Sequence, residues 1–256
     1  MRCSGICAGV SAAVLLAAAA PASASCIYGP EPAYVTAEGN LNNVVFNHGD
    51  SHTQWVFAPE AFGATAVTIN RFSLRFDAGV TNFYGNAGKF ALGSGFKVKL
   101  ATIDGLASQN FAANLGNAVT VMSGARALDF TIGGPAGATK PWGVTFDFST
   151  PFAYDPTAGS SLLIDLAIPG QDMFGTMDFI ADYYRSPTAN TPAYRVFNRD
   201  PSADSGQLQL FAPVVRFDVT QKIGGVPEPT TWMLLLLALA APARRCVAAG
   251  SLQSRA

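Results

Sequence analysis

Apolar and polar residues alternate with a period of two through most of this chain. Val67 and Ile69 share one parity and Phe72, Leu74 and Phe76 the other, so the pattern slips at Asn70-Arg71. Successive side chains of a strand point to opposite faces, and parity changes where an extra residue is inserted, so the slip predicts a β-bulge or a bend. Phe96, Val98, Leu100 and Thr102 form the next set, with Lys97 and Lys99 turned to water. Leu128, Phe130 and Ile132 follow, then Trp142, Val144, Phe146 and Phe148. Leu162, Ile164, Leu166 and Ile168 alternate next, with Asp165 on the opposite face. Tyr194 with Val196, Leu208 with Leu210, and Val215, Phe217 and Val219 complete the series. Short alternating runs separated by Gly, Pro and Asn turns predict an all-β domain, a single antiparallel β-sandwich of jelly-roll-like form. Asn110 to Leu115 is the one stretch outside the termini suited to a helical turn.

Both ends depart from that alternation. Arg2 supplies a short positive region, and Ala8 to Ala20 is a run of small residues and Leu. Ala22 and Ala24 then fit the A-x-A rule for signal-peptide cleavage, which makes residues 1–24 a signal peptide and Ser25 the mature N-terminus. Cys26 follows closely enough to raise a lipoprotein reading, but Ser23 stands where a lipobox has Leu. At the other end, Gln221 to Pro229 is a Gly/Pro linker, followed by Trp232, the apolar run Met233 to Ala241 and the basic pair Arg244-Arg245. Pro227 and Pro229 fix their own φ and hold Val226 and Glu228 extended, so the triplet Pro227-Glu228-Pro229 excludes helix. An aromatic ring before an apolar segment and basic residues after it match the interface and cytoplasmic flanks of a membrane segment. The segment is about a dozen residues, against the roughly 20 that span a bilayer, so it predicts a tilted or snorkelling insertion in a thinned membrane.

Pro227, Glu228, Pro229, Trp232, Arg244 and Arg245, in that order, resemble the C-terminal sorting signal of the PEP-CTERM proteins of Gram-negative bacteria. The resemblance implies that the general secretion machinery exports the chain and that its tail inserts transiently in the inner membrane. It further implies that an exosortase recognises the triplet, removes the tail and releases the rest to the cell surface or extracellular matrix. Parts of the body are similar to an uncharacterised group within the same proteins: Gln54 to Phe57, Ile69 to Phe76, Phe111 to Gly116, Pro151 to Pro156 and Leu162 to Asp165. That group brings no catalytic residue with it. The expected organisation is a signal peptide over 1–24, a β-sandwich over 25–221, and a linker with sorting signal over 222–256.

Charge and chemistry narrow the picture further. Charged residues make up 13% of the chain and the net charge is −1, so nothing draws it to nucleic acid or anionic lipid. Of four cysteines, Cys3 and Cys7 lie in the signal and Cys246 in the tail, leaving Cys26 alone in the mature domain without a disulfide partner. His48 and His52 stand four apart, but Gly49 and Asp50 between them argue for a loop, and no third ligand accompanies them. They read as exposed loop histidines, and no metal or cofactor is expected. No Gly-x-Ser-x-Gly elbow is present. Asp129, Asp147, Asp165 and Asp178 lie on or beside strands and are the best candidates for the carboxylate pair a glycosidase requires, but Asp on a strand's outer face is ordinarily solvated. The chain therefore reads as a non-enzymatic surface protein, with a secreted hydrolase the remotest alternative. A carbohydrate-binding module contacting exopolysaccharide is the nearer one. Trp55, Phe83, Tyr84, Trp142, Tyr154, Tyr183 and Tyr184 could include a sugar-stacking platform, with Tyr84, Tyr183 and Tyr184 the candidate glycan contacts, but most of these rings are expected to fill the core, as aromatics commonly do.

Overall fold

A computed structural model of the chain describes residues 24–44, 51–80, 87–135, 137–169, 180–185 and 192–221. Within them the strands are β1 (Ala24–Gly29), β2 (Leu41–Val44), β3 (Ser51–Phe57), β4 (Val67–Arg75), β5 (Ala87–Leu92), β6 (Lys97–Ile103), β7 (Val119–Ser123) and β8 (Arg126–Thr131). They continue as β9 (Trp142–Tyr154), β10 (Ser161–Ile168), β11 (Ile180–Arg185), β12 (Ala193–Asn198), β13 (Gln207–Gln209), β14 (Phe211–Pro213) and β15 (Val215–Gln221). One six-stranded sheet runs β1-β15-β4-β9-β8-β5, a second runs β13-β12-β3-β10-β6-β7, and a three-stranded sheet runs β14-β11-β2. The fold is all-β and antiparallel.

The two large sheets face each other across the residues that the alternation selects. Phe72, Leu74, Phe96, Val98, Leu100, Val144, Phe146, Leu162, Ile164, Leu166 and Phe217 are all fully buried in one cluster. Rings cross the interface: Trp55 meets Phe72 edge-on at 6.3 Å, and Phe57 meets Phe217 at 5.5 Å. Each such side chain removed from water stabilises the fold by about 1.5–3 kcal/mol before entropy is counted. The slip at Asn70-Arg71 is a bulge. The β4–β9 register shifts between Ile69 and Arg71, and β15 shifts beside it between Asp218 and Val219. Asn70 is left out of the β4–β9 pairing, and its Nδ2 donates to Thr220 Oγ1 at 3.0 Å.

One expectation about faces needs correction. The second sheet is covered on its outer side as well. Val56, Ala101, Leu163, Tyr194 and Val196 form a second buried cluster beneath Phe111 and Ala107 of the 104–118 loop. Asp165, expected in water, is only 1% exposed, and Lys99 leans toward it with Nζ 3.8 Å from Oδ2. Lys97 does face solvent. The loop contains the helical turn foreseen near Asn110, reduced to a 3₁₀ turn at Ala112–Asn114. Pro32, Pro59 and Pro156 open further short turns, where a missing N–H leaves no bond unmade.

The ends of the sandwich meet. β1 and β15 pair antiparallel at an edge of the first sheet, with Ala24 opposite Thr220. Cys26 is exposed there as a free thiol, 3.3 Å from Asp218 Oδ1. Ala22 and the sorting residues Pro227, Glu228, Pro229, Trp232, Arg244 and Arg245 lie outside the described residues, as do His48, Phe83, Tyr84 and Asp178. Among the described residues no helix is long and apolar enough to cross a membrane.

Candidate functional site

Arg75 ends β4 on the parity of Ser73, the face turned away from Phe72 and Leu74. That face is roofed by the lead-in around Tyr34 to Gly39 and by β11, so the guanidinium is 1% exposed. Its Nε and Nη2 donate to Asp182 Oδ2 at 2.9 and 2.6 Å, Nη1 donates to the Tyr34 carbonyl at 2.9 Å, and Nη2 also donates to the Ala37 carbonyl. Asp182, wholly buried, accepts a further bond from Gly39 N at 2.8 Å. Gly39 has to be glycine, because a Cβ there would stand 2.1 Å from the Tyr183 carbonyl oxygen. One guanidinium thus joins the lead-in, the end of β4 and the three-stranded sheet. The indole of Trp142 lies 5.1 Å away, with Arg216 on the same ring at 5.7 Å.

Two more carboxylates gather here. Glu38 Oε2 accepts from Ala78 N at 3.2 Å while its Oε1 is buried without a partner, and Asp77 Oδ1 accepts from Gly79 N at 2.8 Å. Single oxygens of Glu38, Asp77 and Asp182 lie within 4.8 Å of one another, which makes these the described residues able to hold a metal ion. A cation would share Asp182 with the guanidinium already bonded to it. Burial outweighs Arg75 and, with Glu38 adding repulsion, pushes the Asp182 carboxyl up to about 6. At the rim, Tyr34 and Tyr184 pair at 5.6 Å, and burial followed by Glu31 pushes the Tyr34 hydroxyl up to about 12.

The other candidate residues are dispersed. Tyr183 and Tyr184 are neighbours in β11 and therefore point to opposite faces, which rules out a shared platform. Tyr184 is half-buried at the rim, whereas Tyr183 is fully buried, so the expectation that it contacts a glycan is corrected. Trp55 and Tyr154 are core, the Tyr154 hydroxyl donating to the Ser160 carbonyl at 2.8 Å. Asp129 and Asp147 line one cleft of about 500 Å³ with Arg126, Thr131 and Thr145, where β8 and β9 pair only at Phe130 and Val144. Both are largely exposed and already ion-paired, Asp129 with Lys89 and Asp147 with Arg71, each at 3.1 Å.

Asp165 belongs elsewhere. It accepts from Gln54 Nε2 at 2.9 Å and meets His52 Nε2 at 2.7 Å. His52 is not a loop histidine: it sits in β3, its ring stacked on Phe111 at 3.9 Å. Gln54 Nε2 also donates to the Phe111 carbonyl at 3.0 Å, and Gln54 Oε1 accepts from Asn114 at 2.7 Å. The network pins the covering loop to the second sheet and satisfies the polar groups buried beneath it.

No family model matches this chain, and no curated protein or solved structure is detectably similar to it. Function has to be read from its own residues. The Arg75–Asp182 hub carried almost no sequence signal, because Arg75 stands on the parity opposite its strand's apolar residues and so reads as solvated. Only a roof contributed by residues 34–39 and 180–185 buries it.

Proposed function

We propose that this chain is an exported, non-catalytic β-sandwich of the bacterial cell surface or extracellular matrix. In this reading an exosortase sorts it through Pro227-Glu228-Pro229. The observation that carries the proposal is the pairing of Ala24 with Thr220 at the edge of the first sheet. Removal of everything before Ser25 takes one terminal pair from β1, and removal of everything after Gln221 takes no described strand residue. The first and last described strands lie side by side, so in this reading both cleavages are made outside the described core. The scattered carboxylates support the non-catalytic half of the reading. Asp129 and Asp147 are engaged by exposed cations, and Asp165 is committed to Gln54 and His52.

The sorting half is tested at the tail. Replacing Pro227-Glu228-Pro229 with three alanines removes the residues that exclude helix, letting the Leu-rich segment extend into the linker and deleting the recognised groups. The variant is expected to accumulate as an unprocessed membrane-bound precursor. The native protein is expected at the surface without Trp232 and the residues after it. Mass spectrometry of surface-exposed protein from the native host decides between them, and a mature chain ending at Ala256 would rule out the sorting role.

A further inference from the structure

The first six-stranded sheet is open along part of its length. β8 pairs with β5 over six residues, from Arg126 opposite Leu92 to Thr131 opposite Ala87, but with β9 only at Phe130 and Val144. Continued from that rung, the register would set Leu128 opposite Phe146 with both apolar side chains inward, so the residue pattern allows a longer ladder. The connection into β8 prevents it. Gly124, at φ +87°, donates its N–H to the Phe96 carbonyl at 2.9 Å, and the chain turns there directly from β7 of the second sheet into β8 of the first. β9 meets β7 as well, the Ser149 hydroxyl donating to the Val121 carbonyl at 2.9 Å. β8 and β9 therefore part toward β7. They leave a pit that is narrow at the Phe130–Val144 rung and bounded at its wide end by Met122 of β7.

The pit encloses about 500 Å³, a volume ordinary for small-ligand sites. Its floor is apolar, made by the buried side chains of Met122 and Leu128. Its walls are polar, with Arg126, Asp129 and Thr131 on β8 facing Thr145 and Asp147 on β9. Along residues 126–129 and 145–147 each strand has a described partner on its far side only, so alternate main-chain N–H and C=O groups turn toward the pit. Asp129 and Asp147 already hold Lys89 and Arg71, but at 80% and 66% exposure such pairs are weak, and each carboxylate keeps lone pairs to spare. Because the carboxylates bring their own counter-charges, the walls offer mixed donors and acceptors rather than a field of one sign. The matching ligand is compact and uncharged, with groups that both donate and accept and apolar C–H surface between them. A sugar ring has that chemistry. An extended peptide fits worse, because the Phe130–Val144 rung closes the path along which an added strand would run.

We propose that the pit between β8 and β9 binds a neutral oligosaccharide, its hydroxyls held by Arg126, Asp129 and Asp147 and its C–H face resting on Met122 and Leu128. The site is distinct from the Tyr34–Tyr184 rim and does not depend on how the chain is sorted. The test is an array of neutral and acidic oligosaccharides and of short peptides probed with the purified protein, followed by calorimetric titration of the tightest-binding oligosaccharide. At least one neutral oligosaccharide is expected to bind. Asp147→Ala should weaken it about tenfold or more, the usual effect of losing a hydrogen bond to a charged group. Ala127→Trp, at an exposed position lining the pit, should abolish binding by filling the space while leaving every polar group in place. Tyr184→Ala, at the other rim, should bind as the native protein does. Both pit substitutions are at exposed residues, so each variant should keep the native melting transition. Binding of no neutral oligosaccharide overturns the proposal, as does an affinity undiminished in both Asp147→Ala and Ala127→Trp. A response confined to acidic oligosaccharides or to peptides overturns it as well.

Discussion

Replacing Arg75 with methionine is expected to destabilise the protein by about 3–5 kcal/mol at neutral pH, the usual consequence of removing one partner of a buried ion pair. Asp182 would lose both guanidinium bonds in a site with no exposure, so its charge would be left unpaired or be neutralised by taking up a proton, while the carbonyls of Tyr34 and Ala37 would lose their donor. Replacing Asp182 as well, as in Arg75→Met with Asp182→Leu, should recover part of the loss, since an apolar pair leaves no orphaned charge. The pH dependence has a definite sign. The folded-state value of Asp182, about 6, lies above its ordinary 3.8, so the native state holds the proton more tightly than the unfolded chain. Its contribution is fully present below about 4 and is lost as pH rises through about 6. Arg75 is what restrains this value, so it rises further in Arg75→Met. The gap between variant and native protein should therefore narrow on acidification. Urea denaturation at several pH values measures both effects, and a single-variant loss below about 1 kcal/mol would show that the hub does not anchor the lead-in.

The second large effect belongs to the core. Phe146 stacks on Phe72 at 4.3 Å and approaches Phe96, which leads into β6 of the opposite sheet, at 6.5 Å. Ile164 lies in a rung between Trp55 and Leu100, and it and Phe146 are both 0% exposed. Phe146→Ala is expected to cost about 3–5 kcal/mol and Ile164→Ala about 2–5, each being the transfer of lost apolar surface plus a cavity that close-packed neighbours cannot fill. Lys97→Ala, one residue from buried Val98 yet exposed, should stay within about 0.5 kcal/mol. Chemical denaturation of the three variants checks the order, and a Lys97 loss exceeding that of Phe146 would mean the faces are assigned the wrong way round.

The sandwich was legible because strand alternation is a local property. Phe96, Val98 and Leu100 declare one buried face in five residues, and the slip at Asn70-Arg71 declares the bulge. What the alternation could not disclose is a strand covered on both sides. Asp165 and His52 occupy positions that a one-layer sandwich leaves in water, and only the folding back of the 104–118 loop removes them from it. The same reason hides Arg75, Asp182 and Tyr183, whose partners lie in strands and loops distant along the chain and carry no spacing motif. Aromatic content favoured a core over a platform without saying which rings belong to which, and for Trp55, Tyr154 and Tyr183 the choice fell to packing between sheets.

The central claim is that a self-contained all-β domain lies between two removable signals. It is tested most directly by producing residues 25–221 alone and recording far-ultraviolet circular dichroism through thermal unfolding. The account predicts a sheet spectrum with almost no helix and a single cooperative transition, because that fragment retains every described strand pair except Ala24 with Thr220. A strongly helical spectrum, or a fragment that does not unfold cooperatively, would contradict it.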